Sequence, residues 1–157
     1  MAIHDGKPDG YTTLTPFLVC RPATEAITWY ETVLGARLVD RMDGPDGIVM
    51  HAELDFGDGR LQLSDPMDAY GLAAPARADE RVSSSTCIYV GDADKVFAAA
   101  VERGATVREE PTTFVTGDRF ASVVDPFGHR WAIMTRVEDV PPEEAKRRLD
   151  EWAAQQA

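Results

Sequence analysis

From Gly117 the chain runs Gly117-Asp118-Arg119-Phe120-Ala121-Ser122-Val123-Val124-Asp125-Pro126-Phe127-Gly128-His129-Arg130-Trp131-Ala132-Ile133-Met134. Two strand-like runs flank a turn. Pro126 fixes φ at an inner turn position, the Asp125 carboxylate bonds back to nearby amides, and Gly128 permits positive φ. The stretch reads as a hairpin between strands at about 119–124 and 130–135. In the second strand Trp131 and Ile133 oppose Arg130, Ala132 and Met134, so one face packs on helices and the other meets something more polar.

Working back from this hairpin, the preceding segments repeat an order found earlier in the chain. A strand candidate from Ser84 to Val90 leads to Asp92, a good N-cap. A helix follows with Ala93, Val96, Phe97, Ala100 and Val101 on one face, and Gly104 ends it. A further strand is expected at about 105–109. The first half has a strand at Thr13 to Cys20 and a helix starting near Pro22, a residue favoured at a first helical position. Ala23, Ala26, Ile27, Tyr30, Val33 and Leu34 form its buried face, and Gly35 supplies the left-handed stop. Strands at about 36–41, 48–56 and 60–64 complete it. In 48–56, Ile48, Met50, Ala52, Leu54 and Phe56 share one face, and Val49, His51, Glu53 and Asp55 the other. Leu61 and Leu63 oppose Arg60, Gln62 and Ser64. The expected domain is single, with module one at about 11–66, a linker at 67–81, module two at about 82–138 and a C-terminal helix at about 141–155. Prolines open that last helix, and Ala145, Leu149 and Trp152 form its narrow apolar stripe.

The Gly117–Trp131 stretch resembles the last hairpin of the vicinal-oxygen-chelate superfamily (glyoxalase, bleomycin-resistance and extradiol-dioxygenase proteins), nearest to its PhnB-like subgroup. Thr15-Pro16-Phe17-Leu18, Ala26-Ile27 through Tyr30 with Leu34-Gly35-Ala36, and Met50-His51-Ala52-Glu53-Leu54 agree with it in order and spacing. The resemblance spans about residues 11–138. It implies an α+β fold in which two βαβββ modules form a cupped, eight-stranded mixed sheet enclosing a cavity. Metal-dependent members hold a divalent ion with one ligand on each of four strands, and that ion acts as a Lewis acid with open positions. The matching positions here are Thr15, Gln62, Ser85 and Ala132. Such an ion wants carboxylate or imidazole ligands, so the expectation is a cavity lined by these four residues with no metal and no other cofactor.

Other residues of that face are candidates of their own. His51 and Glu53, two apart on one strand, are either a proton-transfer pair or a hydrogen-bonded structural pair. Arg119 either reaches an anionic or carbonyl group of a ligand or anchors its loop. Phe17, Tyr89, Phe114 and Met134 are either an apolar cavity wall or ordinary core, and Cys87 is a further lining candidate between Ser85 and Tyr89. Both cysteines, Cys20 and Cys87, read as buried thiols outside any disulfide spacing. His129 reads as a turn residue capping backbone groups, and His4 is assigned no role.

The formal charge is -11 and the isoelectric point about 4.6. Such a surface repels phosphate backbones and anionic membranes, and no basic stripe offsets it. No apolar run is long enough to cross a bilayer, and the first residues lack the basic-then-apolar order of a signal peptide. A cytoplasmic protein is expected. Acidity is either plain solubility or attraction of a cationic ligand. Three functions stay open: metal-independent binding of a cationic or planar aromatic small molecule, a glyoxalase-like lyase, isomerase or dioxygenase with a non-standard or metal-free site, and an assembly protein with a vestigial cleft. Exposed strand edges, together with the resemblance, predict a homodimer.

Overall fold

The computed structural model describes residues 6–76 and 81–156, so His4 and part of the expected linker lie outside the described residues. The elements are β1 (Phe17–Val19), α1 (Ala23–Leu34), β2 (Arg37–Asp43), β3 (Val49–Asp55), β4 (Arg60–Ser64), β5 (Ser85–Tyr89), α2 (Ala93–Glu102), β6 (Thr106–Thr113), β7 (Asp118–Val124), β8 (Arg130–Arg136) and α3 (Pro142–Gln156). They form two four-stranded sheets in the orders β1-β4-β3-β2 and β5-β8-β7-β6. In each sheet the module's first and last strands pair in parallel and the remaining pairs are antiparallel. The expected α+β, twofold βαβββ organisation is present. The eight strands hydrogen-bond as two sheets of four, one from each module. Each module closes its own ladder by pairing its first strand with its last. No described helix is long and apolar enough to cross a membrane.

Two compact units result. The first reaches Arg81 and takes in Pro126–His129, the tip of the β7–β8 hairpin; the second holds Val82–Asp125 and the residues from Arg130 onward. In the first unit α1 buries all six apolar positions read from its spacing, with Trp29 besides. Gly35 ends the helix at φ 74, where a side chain would be strained. Pro22 caps the helix without a side-chain bond of its own. Asp65 does that work from 42 residues away: its Oδ1 accepts from the Ala23 amide and its Oδ2 from the Val49 amide, each at 2.9 Å. One carboxylate therefore ties the helix start to the start of β3.

The β3 register departs from simple alternation. Met42 pairs with His51 but Asp43 pairs with Val49, so β3 spends an extra residue there, a bulge. The bulge turns Val49 fully inward and leaves Ile48 44% exposed, reversing the expected faces at this end; Ala52 and Leu54 keep theirs. β1 is shorter than expected, with Leu14 largely exposed. The hairpin tip packs as a core element: Phe127 is buried edge-on to Tyr30 with ring centres 6.2 Å apart. His129 Nε2 lies 2.9 Å from the Val19 carbonyl, in keeping with a histidine that caps backbone. Within the linker Met67 bridges Leu72 around a 3-10 turn, a small structured hairpin.

In the second unit Asp92 caps α2 by accepting from the Lys95 amide at 3.0 Å. Ala93 and Ala100 are buried, whereas Val101 is 39% exposed at the end of the helix and is no core residue. Trp131, Ile133, Ala121 and Val123 fill the side of the sheet under α2. The Trp131 indole donates to Asp125 at 2.9 Å, so the turn aspartate also satisfies the buried ring. β6 runs further than expected, to Thr113, tolerating Pro111 because it is an edge strand. α3 has no buried residue; it rests on the unit through Arg148, which bonds Glu138 and the Val115 carbonyl, and through Trp152.

Candidate functional site

Each sheet has one face packed on its helix and one free of it, and strand alternation assigns the candidate residues between them. On the helix-free face of the first sheet Phe17, Gln62 and Glu53 stand in one lateral row. His51 lies beside them, its ring centre 6.2 Å from that of Phe17. Thr15 precedes β1, and its hydroxyl sits 3.5 Å from the Thr12 carbonyl.

Glu53 is the hub of this face. Its Oε1 is 3.3 Å from His51 Nε2 and 3.4 Å from Gln62 Nε2, and its Oε2 accepts from Arg60 at 3.0 Å. Tyr11 also bonds it, and the Arg60 guanidinium lies over the Tyr11 ring at 4.6 Å. Burial pushes the Glu53 carboxyl up, but the bonds from Tyr11, His51, Arg60 and Gln62 together outweigh it and hold the group below its ordinary range. A carboxylate stabilised as the anion is a weak proton acceptor. The sequence named three members of this cluster, His51, Glu53 and Gln62; Arg60 and Tyr11 complete it.

On the helix-free face of the second sheet three rows follow one another. Ser85 pairs with Arg130, Cys87 with Ala132 and Ser122, and Tyr89 with Met134 and Phe120. Tyr89 is 58% exposed. Cys87 is exposed, contrary to its reading as a buried thiol, while Cys20 is fully buried. The Cys87 thiol donates to the Met134 sulfur at 3.1 Å. Burial, then the nearby Asp118 charge, pushes this thiol up, so it stays protonated. Glu109, Ser122 and Arg130 form a polar cluster at one end. Arg130 reaches Glu109 at 2.5 Å and the Ser122 hydroxyl at 3.2 Å, and that hydroxyl bonds Glu109.

Two candidates are placed elsewhere. Arg119 alternates with Ala121 and Val123 onto the α2 side and clasps Asp94 through two bonds of 2.6 and 2.8 Å. It is the anchor of the two alternatives, and its partner is Asp94 of α2. Phe114 packs edge-on to Trp152 of α3 with centres 5.3 Å apart, so its ring is engaged by the C-terminal helix. On the helix-free face of the second sheet β8 carries Arg130 and, at its other end, Arg136, which is paired with Asp118 at 3.1 Å. The signal for Arg130 was present in the sequence, in its alternation with Trp131.

The resemblance implies a divalent ion at Thr15, Gln62, Ser85 and Ala132, and the donor set does not fit one. Ala132 has no donor atom, Thr15 and Ser85 offer neutral hydroxyls, and the Gln62 amide is turned to Glu53. Among the described residues no three His, Cys, Asp or Glu side chains come together to hold a metal. The first unit also contains a pocket of about 590 Å³ between the start of α1, Phe127 and Ala73 to Ala76. Its walls include Pro22, Pro66 and Pro75, with Arg21 and Asp68 as charged groups, and none of the sequence candidates lines it.

Paired βαβββ modules, each with one helix-covered and one chemically varied sheet face, define the class. The chain belongs to the Glyoxalase/Bleomycin resistance protein/Dioxygenase superfamily, whose family model matches residues 13–133. It is 32% identical over 133 residues to an uncharacterised protein of Mycobacterium tuberculosis, covering 83% of this chain and 78% of that one. Among solved structures it is similar to protein PA1353 from Pseudomonas aeruginosa, with a TM-score of 0.65 and 24% identity over 80% of this chain and 98% of that one. TioX from Micromonospora sp. ML1 gives 0.62 and 24%, with the same coverage. The PhnB protein of Bacillus cereus gives 0.61 and 16%, over 79% and 99%. These structural likenesses establish the fold.

Proposed function

We propose that the chain binds a small organic molecule against the helix-free faces of its sheets, without a catalytic metal. One observation carries this reading: Cys87, Tyr89, Phe120 and Met134 lie side by side on the face of the second sheet away from α2, with Tyr89 58% exposed. A soft, apolar sheet face with a few polar groups at its end has the make-up of a small-molecule site. The poor donor set at Thr15, Gln62, Ser85 and Ala132 supports the metal-free part of the proposal. The low proton affinity of Glu53 favours a structural over a catalytic role for the His51–Glu53 pair.

Thermal denaturation with a panel of planar aromatic compounds of differing charge tests the binding. A compound at about 100 times its Kd adds ~2.7 kcal/mol, which for a chain of this size raises Tm by about 5–10 °C. Tyr89→Ala and Met134→Ala are expected to remove the shift. A panel with no shift, or a stoichiometric divalent ion retained on chelator-free purification, contradicts the proposal. A homodimer is part of the same reading, supported by the open edges of β2 and β6. Sedimentation equilibrium giving 17.2 kDa at all micromolar concentrations excludes it.

A further inference from the structure

We infer that the helix-free face of the second sheet selects a molecule with an oxyanion head, such as a carboxylate, and a flat apolar body, and that Arg130 holds the head. The inference rests on the binding face proposed above and names the chemistry that face recognises.

The face is graded along its strands. Arg130 and Ser85 stand opposite each other in the parallel β5–β8 register and occupy one end. Cys87 and Ala132 come next, Tyr89, Met134 and Phe120 follow, and the mutually paired Asp118 and Arg136 close the far end. Rows of one face are two residues apart, about 6.6 Å. The guanidinium row and the Tyr89–Met134 row are therefore separated by roughly 13 Å, the length of a two-ring molecule with a polar end. Ala132, the small residue in the middle row, leaves more room above the sheet than a larger side chain would.

Arg130 has capacity to spare. Its bonds to Glu109 and Ser122 both come from Nη2. Its Nη1 has no bond among the described residues; its Nε also lacks a partner but is buried, as is that of Arg60. Ser85 adds an exposed hydroxyl beside it. Arginine presents a planar fork suited to paired oxygen atoms. Glu109 is the resident competitor, but its side chain is 48% exposed. An exposed ion pair is held weakly, so Glu109 can swing into solvent as a ligand carboxylate takes its place.

The first module shows what a closed version looks like. Arg60 opens β4 as Arg130 opens β8, and each pairs with a glutamate of its own sheet. The Tyr11 ring covers Arg60, and Glu53 behind it is held by four side chains. No ring covers Arg130 among the described residues. The open arginine runs against the acidic net charge, which taken alone favours cationic ligands, because selection at contact distance follows local partners.

The test uses three probes on the full chain: biphenyl-4-carboxylate, biphenyl-4-carboxamide and 4-biphenylmethylammonium. Binding is followed by the methyl resonance of Met134 in methionine-labelled protein, assigned with Met134→Leu. The carboxylate is expected to bind about tenfold or more tighter than the other two, as a charge-assisted pair allows. Arg130→Gln is expected to remove that preference, bringing the carboxylate to the affinity of the carboxamide. Arg130→Lys keeps the charge and is expected to retain part of the preference. Glu109→Gln, which removes the competitor, is expected to tighten carboxylate binding. Equal affinities for the three probes, or a carboxylate preference that survives Arg130→Gln, overturn the oxyanion inference and leave the binding face standing. If none of the probes moves Met134, the binding face itself fails and this inference with it.

Discussion

Replacing Asp65 with Ala removes a single side chain that ties α1 to β3. Its two oxygens accept the amides of Ala23 and Val49, each at 2.9 Å, and both of those residues are fully buried. A buried amide left without an acceptor costs about 1–3 kcal/mol, so the pair sets a range of about 2–6 kcal/mol. Loss of a negative charge at a helix N-terminus adds ~0.3–1 kcal/mol. Asp65 itself is only half-buried, and water entering its place recovers some of this. The expected loss is about 3 kcal/mol, or roughly 10 °C in Tm for a chain of this length. Asp65→Asn keeps one acceptor but turns an amide N–H₂ toward the other donor, so about half the loss is expected. Urea unfolding of the three proteins gives the comparison, with equal m-values confirming that the same structure is being unfolded. A loss below ~1 kcal/mol for Asp65→Ala, or Asn no better than Ala, would show that the two amides find other partners.

Trp131→Ala is expected to cost ~3–5 kcal/mol, and Trp152→Ala no more than ~1.5 kcal/mol, the worth of its edge-on contact with Phe114; equal shifts in urea midpoint would contradict the ranking. Gly117 has φ +93, and a Cβ there would lie 2.2 Å from the Glu138 carbonyl oxygen. Gly117→Ala should therefore lose about 2–3 kcal/mol by overpacking and strain, and a neutral result by thermal melting would refute that backbone. The Glu53 carboxyl is held below its ordinary value of 4.5, so its contribution is fully present above that value and is lost as pH falls through the lower folded one. Glu53→Gln should flatten the decline of stability below pH 4.5; parallel urea midpoints for variant and parent from pH 6 to pH 3 would sink this role.

Elements whose cause is local could be read from the sequence, and those with a distant cause could not. The buried face of α1 follows from its own spacing, and Gly35 and Asp92 mark helix ends by chemistry that acts within a few residues. The bulge in β3 depends on how β2 pairs with it, so Val49 and Ile48 exchanged their expected sides. Asp65 looked like the first residue of a linker, and nothing near it in the chain announces that it caps a helix 42 residues earlier. The His51–Glu53 pair was legible from its period-two spacing, but the Arg60 and Tyr11 that hold Glu53 arrive from another strand and from the segment before β1.

Two of the three arginines of the β7–β8 hairpin, Arg119 and Arg130, show how far alternation alone can carry a site assignment. Arg119 lies near the start of β7 and Arg130 opens β8 after the turn, and both are long cations able to reach an oxyanion. Their faces differ by parity: Arg119 falls in step with Ala121 and Val123, Arg130 out of step with Trp131 and Ile133. Burial of those four apolar residues under α2 sends Arg119 to the helix, where Asp94 waits, and Arg130 to the opposite face. A one-residue slip would exchange them, and it would also expose Trp131, so the core itself fixes which arginine is available. The same logic separates the modules. Arg60 and Arg130 share a position and a glutamate partner, yet among the described residues a ring, that of Tyr11 in the segment before β1, covers the first and none covers the second. What distinguishes the two faces thus lies in residues added around a repeated frame, and it is in such residues that the chemistry of this chain differs from its fold.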